Sequence, residues 1–370
     1  MSSTSSWRPR GADAWLALAL APGLGPAGAR TLAAAAGGAE ALLALPPASL
    51  AALGAPAATI AAWAGLPERT RGEAARVAAA GARLVGWDDP SYPTRLRTLP
   101  DAPPVLAVRG ALDDADVPAV AVVGARRCSA YGRRVAEEIA TGLARAGVTV
   151  VSGLAAGIDA AAHRAALAAG GRTLAVLGTG IDRVYPSWHA SLAADVVRQG
   201  ALLTELPCGT PALAFNFPRR NRIVSGLGLG VVVVEAAAAS GSLITARLAA
   251  EQGRLVFAVP GPLGVALHDG PHALLREGAT LVRHAADVLE AVAPQCRARA
   301  AAATVAAARD ALTGDERRVL DALGPAGGHV DDVIRRTALP APAALETLLA
   351  LELRGVVAQE PGMRFRQRAA

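Results

Sequence analysis

Short apolar runs rich in β-branched residues recur along residues 84–293, and helical stretches separate most of the later runs. Strands that alternate with helices are typical of a parallel sheet covered by helices on both faces. The pattern therefore predicts an α/β core. Four of the runs carry no charge, as strands buried on both faces should, and they span residues 120–123, 148–151, 174–177 and 231–234. The other strand candidates span residues 83–86, 105–108, 201–205, 255–260 and 279–282.

The segments on either side of this core have helical patterns. Residues 12–65 form alanine- and leucine-rich stretches, and residues 22–26 predict a glycine-rich turn between two helices. Such a turn could offer backbone N–H groups to a phosphate, although a plain turn is favoured. Near the C-terminal end, three helix patterns and a small hairpin are typical of a winged helix. These helix patterns span residues 313–324, 328–338 and 342–354.

These patterns divide the chain into four segments. An alanine-rich run with Arg297 and Arg299 separates the core from the last three helices and has the composition of a linker. We predict a small helical domain over residues 1–75, a core over 76–295, a linker over 296–311 and a winged-helix domain over 312–370.

The charges of the chain are unevenly distributed. All 37 basic residues are arginine, which excludes enzymes that depend on a P-loop or Schiff-base lysine. Residues 121–260 carry 14 arginines against 8 acidic residues, whereas basic and acidic residues balance on either side. A local excess of this kind is the electrostatic footprint expected for a polyanionic partner, although the net charge of +6 is by itself weak support.

Cysteine spacing and hydropathy limit the other classes of protein. Cys128, Cys208 and Cys296 lie far apart, which implies neither a disulfide framework nor a zinc site and fits a reducing cytoplasm. The longest uncharged stretch, residues 41–67, is interrupted by three prolines, so we expect no membrane-spanning helix. The apolar run over residues 15–21 is too short for a secretory signal. We expect a cytoplasmic protein with no metal or cofactor.

Small-residue loops follow the four charge-free strands. Ligands bind at the carboxyl ends of the strands in a parallel sheet, so these loops are candidates for a common site. Glycine lets the backbone approach a ligand closely, and a serine at a helix N-terminus favours an anion. Tight strand-to-helix turns need glycine in any case. For each loop taken alone, the alternative is therefore that its glycine serves the turn and contacts no ligand. The candidate residues are Gly124, Arg126, Ser152, Gly153, Ser240, Gly241, Ser242 and Thr245.

Residues 216–223 concentrate charge beside an aromatic ring. Three arginines stand within four residues next to Phe217, a mixture of phosphate-binding forks and a stacking face that suits single-stranded nucleic acid. The alternative is a solvated helix start with a buried Phe217. The candidate residues are Asn216, Phe217, Arg219, Arg220, Asn221 and Arg222.

Candidates for catalysis are few. The six histidines do not cluster with metal-ligand spacing. Asp159 and His163 stand four residues apart on a predicted helix, where a capping carboxylate and a packed imidazole are favoured over an acid–base pair. Glu205 and Glu235 each end a strand and could act as acid–base groups or orient the arginines, of which we prefer the second. We therefore expect a binding protein rather than an enzyme.

Many ordered motifs over about residues 84–293 closely resemble the DNA-processing protein A family (DprA, also called Smf). The motifs are Val123-Gly124-Ala125-Arg126, Tyr131-Gly132, Ser152-Gly153-Leu154-Ala155, Gly157-Ile158-Asp159-Ala160-Ala161-Ala162-His163, Leu177-Gly178-Thr179-Gly180, Tyr185-Pro186, residues 216–223 and 240–246, Glu251-Gln252-Gly253-Arg254 and Phe257-Ala258-Val259-Pro260-Gly261. The flanking helical and winged-helix segments fit the family's usual modules by pattern.

The resemblance implies an extended Rossmann-like core that binds single-stranded DNA. It also implies a homodimer, formed through roughly residues 254–293, and a role in loading a RecA-type recombinase during natural transformation and recombination. Carried over to this sequence, the DNA pocket would use Arg126, Ser152, Gly153, Asn216, Phe217, Arg219, Arg220, Asn221 and Arg222, and the 240–245 turn would close it.

The sequence departs from the family pattern at three places. Ala125 replaces the serine that is common before the arginine, so a hydroxyl contact to phosphate is lost there. The lysine that many members place shortly before the Asn-Phe-Pro segment is absent, and Arg219 or Arg220 could substitute for it. A Gly270-Pro271-His272 segment stands where Gly-x-Asn is usual, which puts the contacts of that loop in doubt.

Two functions compete at this point. The first is a DNA-binding mediator in which arginines bind phosphates and Phe217 stacks on a base. The second is a nucleotide phosphoribohydrolase from a related Rossmann-like group, acting on a nucleoside monophosphate through Glu205 or Glu235. The chain lacks the Pro-Gly-Gly-x-Gly-Thr loop of that group, and residues 219–222 supply more charge than one phosphate needs, so the sequence favours DNA binding. The glutamates of the third C-terminal helix argue against recognition of duplex DNA by the winged helix.

Overall fold

The computed structural model describes residues 8–113, 116, 118–296 and 309–368. The chain forms two compact units that divide after Ala293. Most of the predicted linker falls on residues 297–308, which lie outside the described residues. The domain boundaries proposed from the sequence therefore stay predictions.

Over residues 8–82, six α-helices precede the sheet, and they are α1 (Ala12–Ala19), α2 (Gly25–Ala36), α3 (Ala39–Leu43), α4 (Pro47–Ala52), α5 (Ala57–Ala62) and α6 (Leu66–Ala79). Their own hydrophobic cluster includes Trp15, Leu42 and Trp63. The glycine-rich turn between α1 and α2 forms as the sequence predicts. The hydroxyl of Thr59 donates a hydrogen bond of 2.7 Å to the carbonyl of Pro22 in that turn.

Nine strands form one sheet, and they are β1 (Arg83–Gly86), β2 (Val105–Gly110), β3 (Ala119–Val123), β4 (Thr149–Ser152), β5 (Thr173–Val176), β6 (Ala201–Thr204), β7 (Gly230–Val233), β8 (Leu255–Ala258) and β9 (Thr280–Leu281). Their order is β1-β2-β6-β5-β4-β3-β7-β8-β9. Every predicted run becomes a strand, which confirms the α/β fold class. The β1–β2 and β2–β6 pairs are antiparallel and the others are parallel. The sheet is thus mixed, because β2 runs antiparallel to both of its neighbours, β1 and β6.

Helices cover both faces of this sheet, and they are α7 (Ala130–Arg145), α8 (Ile158–Ala168), α9 (Ala190–Gln199), α10 (Asn216–Leu227), α11 (Gly241–Glu251), α12 (Asp269–Arg276) and α13 (Ala285–Val292). Helices α7, α8 and α9 pack side by side, and α10 packs on α11. Successive strand residues point to opposite faces. In β5, Leu174 and Val176 therefore join the core under α10, whereas Ala175 joins the core under α9. Burial on both faces explains why these strands carry no charge.

The described part of the C-terminal unit includes three helices and a small sheet, namely α14 (Gly314–Leu323), β10 (Gly328–His329), α15 (Val330–Thr337), α16 (Ala341–Leu353), β11 (Val357–Glu360) and β12 (Arg364–Gln367). Strand β12 lies between β10 and β11. The predicted winged helix is confirmed, and only the two-residue β10 went unpredicted. A capping box formed by Thr313 and Glu316 fixes the start of α14.

Within the described ranges, no helix is both long enough and apolar enough to cross a lipid bilayer. In the core, the parallel strands β3, β4, β5 and β7 end at one edge of the sheet. The loops that follow them converge at this edge, where the sequence places its candidate site.

Candidate nucleic-acid interface

A cavity of about 470 Å³ opens at the carboxyl ends of these four strands. Of the fourteen predicted site residues, the following ten line it: Gly124, Arg126, Gly153, Phe217, Arg220, Asn221, Ser240, Gly241, Ser242 and Thr245. The strand-end loops and the start of α10 therefore form one concave surface.

Arg220 is the buried cation of this cavity. Its Nη1 donates a hydrogen bond of 2.7 Å to the carbonyl of Gly153, and a second to the carbonyl of Val176 at the end of β5. Burial lowers the pKa of Arg220 to about 10, so the guanidinium stays protonated at neutral pH. The buried Asp159 favours that charge, and Arg126 opposes it. Arg220 thus ties the ends of two strands together and brings a fixed positive charge to the cavity wall.

Phe217 is half-buried, and the guanidinium carbon of Arg220 lies 5.9 Å from its ring centroid. A Cβ at position 178 would stand only 2.8 Å from its ring, so Gly178 makes room for the phenyl group. The guanidinium carbon of Arg126 lies 5.0 Å from the ring centroid, and the ring of the exposed Tyr185 lies 5.7 Å away. An aromatic face framed by a cation and a second ring is a suitable stacking platform for a nucleic-acid base.

Two further features attract an anion. Arg126 is exposed, and no carboxylate of the described part of the chain pairs with it. Helix α11 begins at the cavity, and the Ser240 hydroxyl accepts a hydrogen bond from the Ser242 N–H at 3.4 Å. The Asn221 side chain donates to the carbonyl of Gly241 at 3.2 Å and holds this helix start against α10. A helix N-terminus and an unpaired arginine together favour a phosphate.

Four of the predicted residues lie outside the cavity lining. The Ser152 hydroxyl donates to the carbonyl of Val122 at 2.7 Å, and the Asn216 amide donates to the carbonyl of Pro211 at 3.2 Å. Both side chains are buried and hold the backbone.

The other two, Arg219 and Arg222, bind the carboxylate of Glu205. Arg219 Nε lies 3.0 Å from one carboxylate oxygen and Arg222 Nη2 lies 2.6 Å from the other, while Arg222 also pairs with Asp101 at 3.0 Å. Glu205 therefore orients these two arginines, as the sequence interpretation preferred.

Glu235, the second candidate acid–base group, lies beneath the start of α7. Its carboxylate accepts hydrogen bonds from the backbone N–H of Ser129 at 2.8 Å and from the Ser129 hydroxyl. His268 Nε2 lies 3.8 Å away. The side chain is fully buried and does not line the cavity. Glu235 thus holds the loop after β3 rather than an arginine.

Asp159 and His163 support the loop that follows β4. The Asp159 carboxylate accepts hydrogen bonds from the N–H groups of Gly153 at 3.1 Å and Ala155 at 3.4 Å, and burial raises its pKa. His163 Nε2 accepts from the Leu154 N–H at 3.4 Å. Burial lowers the pKa of His163 to about 3, which keeps the imidazole neutral. The favoured sequence interpretation is therefore half right: the imidazole is packed as expected, but the Asp159 carboxylate binds the loop before α8 and does not cap the helix.

Leu154 explains why this support is needed. Its φ of 56° lies in the left-handed region, which costs a residue with a Cβ roughly 1–2 kcal/mol. The N–H of Leu154 donates to His163, and its carbonyl accepts a hydrogen bond of 2.9 Å from His189 Nδ1. Two buried histidines thus fix both backbone polar groups of Leu154, which stands between the cavity-lining residues Gly153 and Ala155.

The site residues predicted from the sequence leave out eight residues of the cavity lining, of which only Tyr185 and Asp159 have polar side chains. A signal existed for Tyr185, because an aromatic residue follows the small-residue loop after β5. For Asp159 the signal was its position in the first turn of α8, behind the loop after β4. Among the described residues, no cluster of metal-ligating side chains is present.

Two protein-family models match the chain, one over the core and one over the C-terminal segment. Residues 83–293 match the model of DNA recombination-mediator protein A, and residues 301–363 match the DprA winged helix domain. The first match covers the whole nine-stranded sheet and the cavity.

Relatives and solved structures agree with these matches. Protein Smf of Escherichia coli (strain K12) is 43% identical over 304 residues, which are 78% of each chain. DNA processing protein DprA of Streptococcus pneumoniae is 48% identical over 201 residues, which are 54% of this chain and 71% of that protein.

Among structures, DNA processing protein A from Streptococcus pneumoniae aligns with a TM-score of 0.68 at 36% identity, covering 76% of this chain and 98% of that one. DNA processing protein A from Helicobacter pylori, whose structure gives insight into its unique single-stranded DNA binding mode, aligns with a TM-score of 0.53 at 27% identity. That alignment covers 58% of this chain and 98% of the other.

Proposed function

The chain belongs to the DNA recombination-mediator protein A family, whose role is DNA processing, and on that premise we propose that it binds single-stranded DNA in the cavity at the sheet edge. In this proposal Phe217 stacks on a base, while Arg126 and the start of α11 bind phosphate. Arg220 supplies a fixed charge behind them. The relative from Helicobacter pylori, which binds single-stranded DNA, supports the choice of ligand.

The observation that carries the proposal is the position of Phe217 between Arg126 and Tyr185. A stacked base needs an exposed aromatic face, and a single strand offers unpaired base faces that a duplex withholds. The guanidinium carbon of Arg126 lies 5.0 Å from the centroid of the same ring. A base stacked on Phe217 would therefore bring its neighbouring phosphate close to this cation.

The test is a binding titration with single-stranded and duplex oligonucleotides of equal length over a salt series. We expect preference for the single strand at every salt concentration and a linear fall of log affinity with log salt concentration. Equal affinity for the two forms at moderate salt would overturn the proposed site.

The hydrolase alternative needs a carboxylate that can reach a bound nucleotide. Neither Glu205 nor Glu235 lines the cavity, and both are bound to protein groups. Asp159 does line it, but its oxygens accept two backbone N–H groups. These contacts support binding without hydrolysis. Incubation with nucleoside monophosphates tests this, because release of free base would show an enzyme.

We further propose that the bound strand is handed to a RecA-type recombinase during transformation and recombination, and that the protein acts in the cytoplasm as a homodimer. Family membership supports the recombinase and the dimer, and three free cysteines suit a reducing compartment. Recombinase activity on DNA coated with single-strand-binding protein should rise when this protein is added. Light scattering at micromolar concentration should give twice the chain mass of 37.2 kDa.

A further inference from the structure

A second groove lies between helices α8 and α9. It has a volume of about 410 Å³. Trp188, which stands two residues before α9, lines this groove. Its side chain is 75% exposed, although tryptophan is normally among the more buried residues. Its lining residues are Arg164, Leu167, Ala168, Trp188, Ser191, Leu192, Asp195, Arg198 and Gln199. An exposed indole that lines a groove offers a face on which a planar group can stack.

The groove carries a net positive charge. Arg198 pairs with Asp195. Arg164 is exposed, and within the described ranges no carboxylate forms an ion pair with it. One unpaired guanidinium and one exposed indole reproduce the two elements of the cavity, where Arg126 stands over Phe217. The same chemistry suits the same kind of ligand, a strand with phosphates and unpaired bases.

The two sites are connected by a short segment. Tyr185 lines the cavity and Trp188 lines the groove. Three peptide units separate them, so their Cα atoms lie at most about 10 Å apart. The exposed Arg183 stands on the same loop, just before Tyr185. One loop therefore presents an exposed basic residue and two exposed aromatic residues, Tyr185 at the cavity and Trp188 at the groove.

We propose that the groove between α8 and α9 is a second contact surface for the same single strand, with Trp188 stacking on a base and Arg164 binding a phosphate beyond the cavity. This inference rests on the proposed function, because the strand reaches the groove by way of the cavity. It predicts that strands just long enough to fill the cavity do not touch Trp188, whereas longer strands do.

The experiment measures the affinity for oligothymidylates from about 4 to about 16 nucleotides, the range of site sizes in single-strand-binding folds. It compares wild type with Trp188→Ala, Arg164→Ala and Phe217→Ala. Arg247→Ala is the charge-matched control, since Arg247 is exposed on α11, which packs against β7 and β8 at the other side of the sheet. Thermal melts confirm that each variant is folded.

For long strands we expect Trp188→Ala to weaken binding about 5- to 150-fold, and for the shortest strands to leave it unchanged. Arg164→Ala should lower the salt slope by about 0.7 with long strands only, and Arg247→Ala should change neither quantity. Long strands should also quench a tryptophan emission that Trp188→Phe removes, and because the variant keeps the other four tryptophans, the difference between the two proteins is the signal of Trp188.

Three results would overturn the inference. If Trp188→Ala weakens binding equally at all strand lengths, or at none, the strand does not reach the groove only when it is long, and the proposed second contact surface is wrong. An equal fall of the salt slope in Arg247→Ala shows a general charge effect. If Phe217→Ala weakens binding at every length and Trp188→Ala at none, the cavity stands and only the groove fails. If wild type binds no single strand of any length, the proposed function itself fails.

Discussion

Arg220 and Gly153 are matched in shape: the guanidinium donates a hydrogen bond of 2.7 Å to the Gly153 carbonyl and occupies the space that a side chain at position 153 would fill. Because Arg220 also binds the carbonyl of Val176, the absence of a single Cβ lets one cation join the ends of β4 and β5. The geometry of the cavity wall therefore depends on a residue that has no side chain.

Gly153→Ala should displace Arg220 and damage both stability and binding. The new methyl group would overlap the guanidinium, and overpacking of a buried site costs about 1–3 kcal/mol. Urea unfolding measures this cost, and oligonucleotide titration should show weaker binding. Gly241→Ala is the matched control for stability, because a Cβ there meets no atom within 4 Å. Equal unfolding curves for the two variants would contradict the assigned packing.

The second prediction concerns acid pH. Burial holds the pKa of His163 at about 3, against 6.5 for an ordinary histidine, so the unfolded chain binds a proton that the folded chain does not. Stability from this residue is complete above about pH 6.5 and is lost progressively as the pH falls towards 3, by up to about 1.4 kcal/mol per pH unit. Unfolding by urea between pH 7 and pH 4 measures the slope.

The control is His163→Gln, which removes the titrating group but keeps an amide that can accept from the Leu154 N–H. This variant should be less stable at pH 7 and show a flatter dependence on pH. A wild-type slope that persists unchanged in the variant would assign the acid sensitivity to other groups.

The sequence predicted the strands well because burial leaves a direct trace in composition. In β5, Leu174 and Ala175 face opposite cores, so both positions must be apolar and the run is visible as such. The direction in which a strand runs in the sheet is harder to predict from its sequence. Nothing in residues 105–108 shows that β2 pairs antiparallel with β6, because a strand buried on both faces looks the same in either direction.

The site was predictable at the level of loops and less so at the level of single side chains. Arg220 and Arg222 are indistinguishable in the sequence, yet one lines the cavity and the other binds Glu205 and Asp101 on another side of α10. Helical geometry turns residues two apart to different directions. Which direction faces the cavity is decided by partners that lie far away along the chain.

Phe217→Ala is the third prediction, and Phe215 provides its control. Phe217 lines the cavity, whereas Phe215, two residues earlier, is 69% exposed and does not. Loss of a stacking ring should weaken single-strand binding by about 1–3 kcal/mol without changing the salt slope. Phe215→Ala should leave the affinity unchanged. Because Phe217 is half-buried, thermal melts must accompany the titrations. A stable Phe217→Ala protein with full affinity would rule out stacking by this ring.

The last prediction separates the arginines by their partners. An arginine that binds phosphate releases counterions, so its removal should lower the salt slope by about 0.7 for a single strand. Arg126 has no ion-pair partner within the described ranges and should show this effect. Arg219 is neutralised by Glu205 at 3.0 Å, and its removal should leave the slope nearly unchanged. Salt titrations of Arg126→Ala and Arg219→Ala, run side by side, test the difference.

Arg222→Ala is the third variant of this comparison, and we expect it to change the stability of the protein rather than the salt slope of binding. Its side chain is only 7% exposed, and its Nη2 lies 2.6 Å from the buried carboxylate of Glu205. Arg222 is therefore expected to bind this carboxylate rather than a phosphate of the DNA. The loss of this charged hydrogen bond should cost about 1.5–3 kcal/mol of unfolding free energy and leave the salt slope unchanged. If instead Arg222→Ala lowered the slope and Arg126→Ala did not, the strand would run along the Glu205 side of α10, and the cavity would lose its assignment as the phosphate-binding surface.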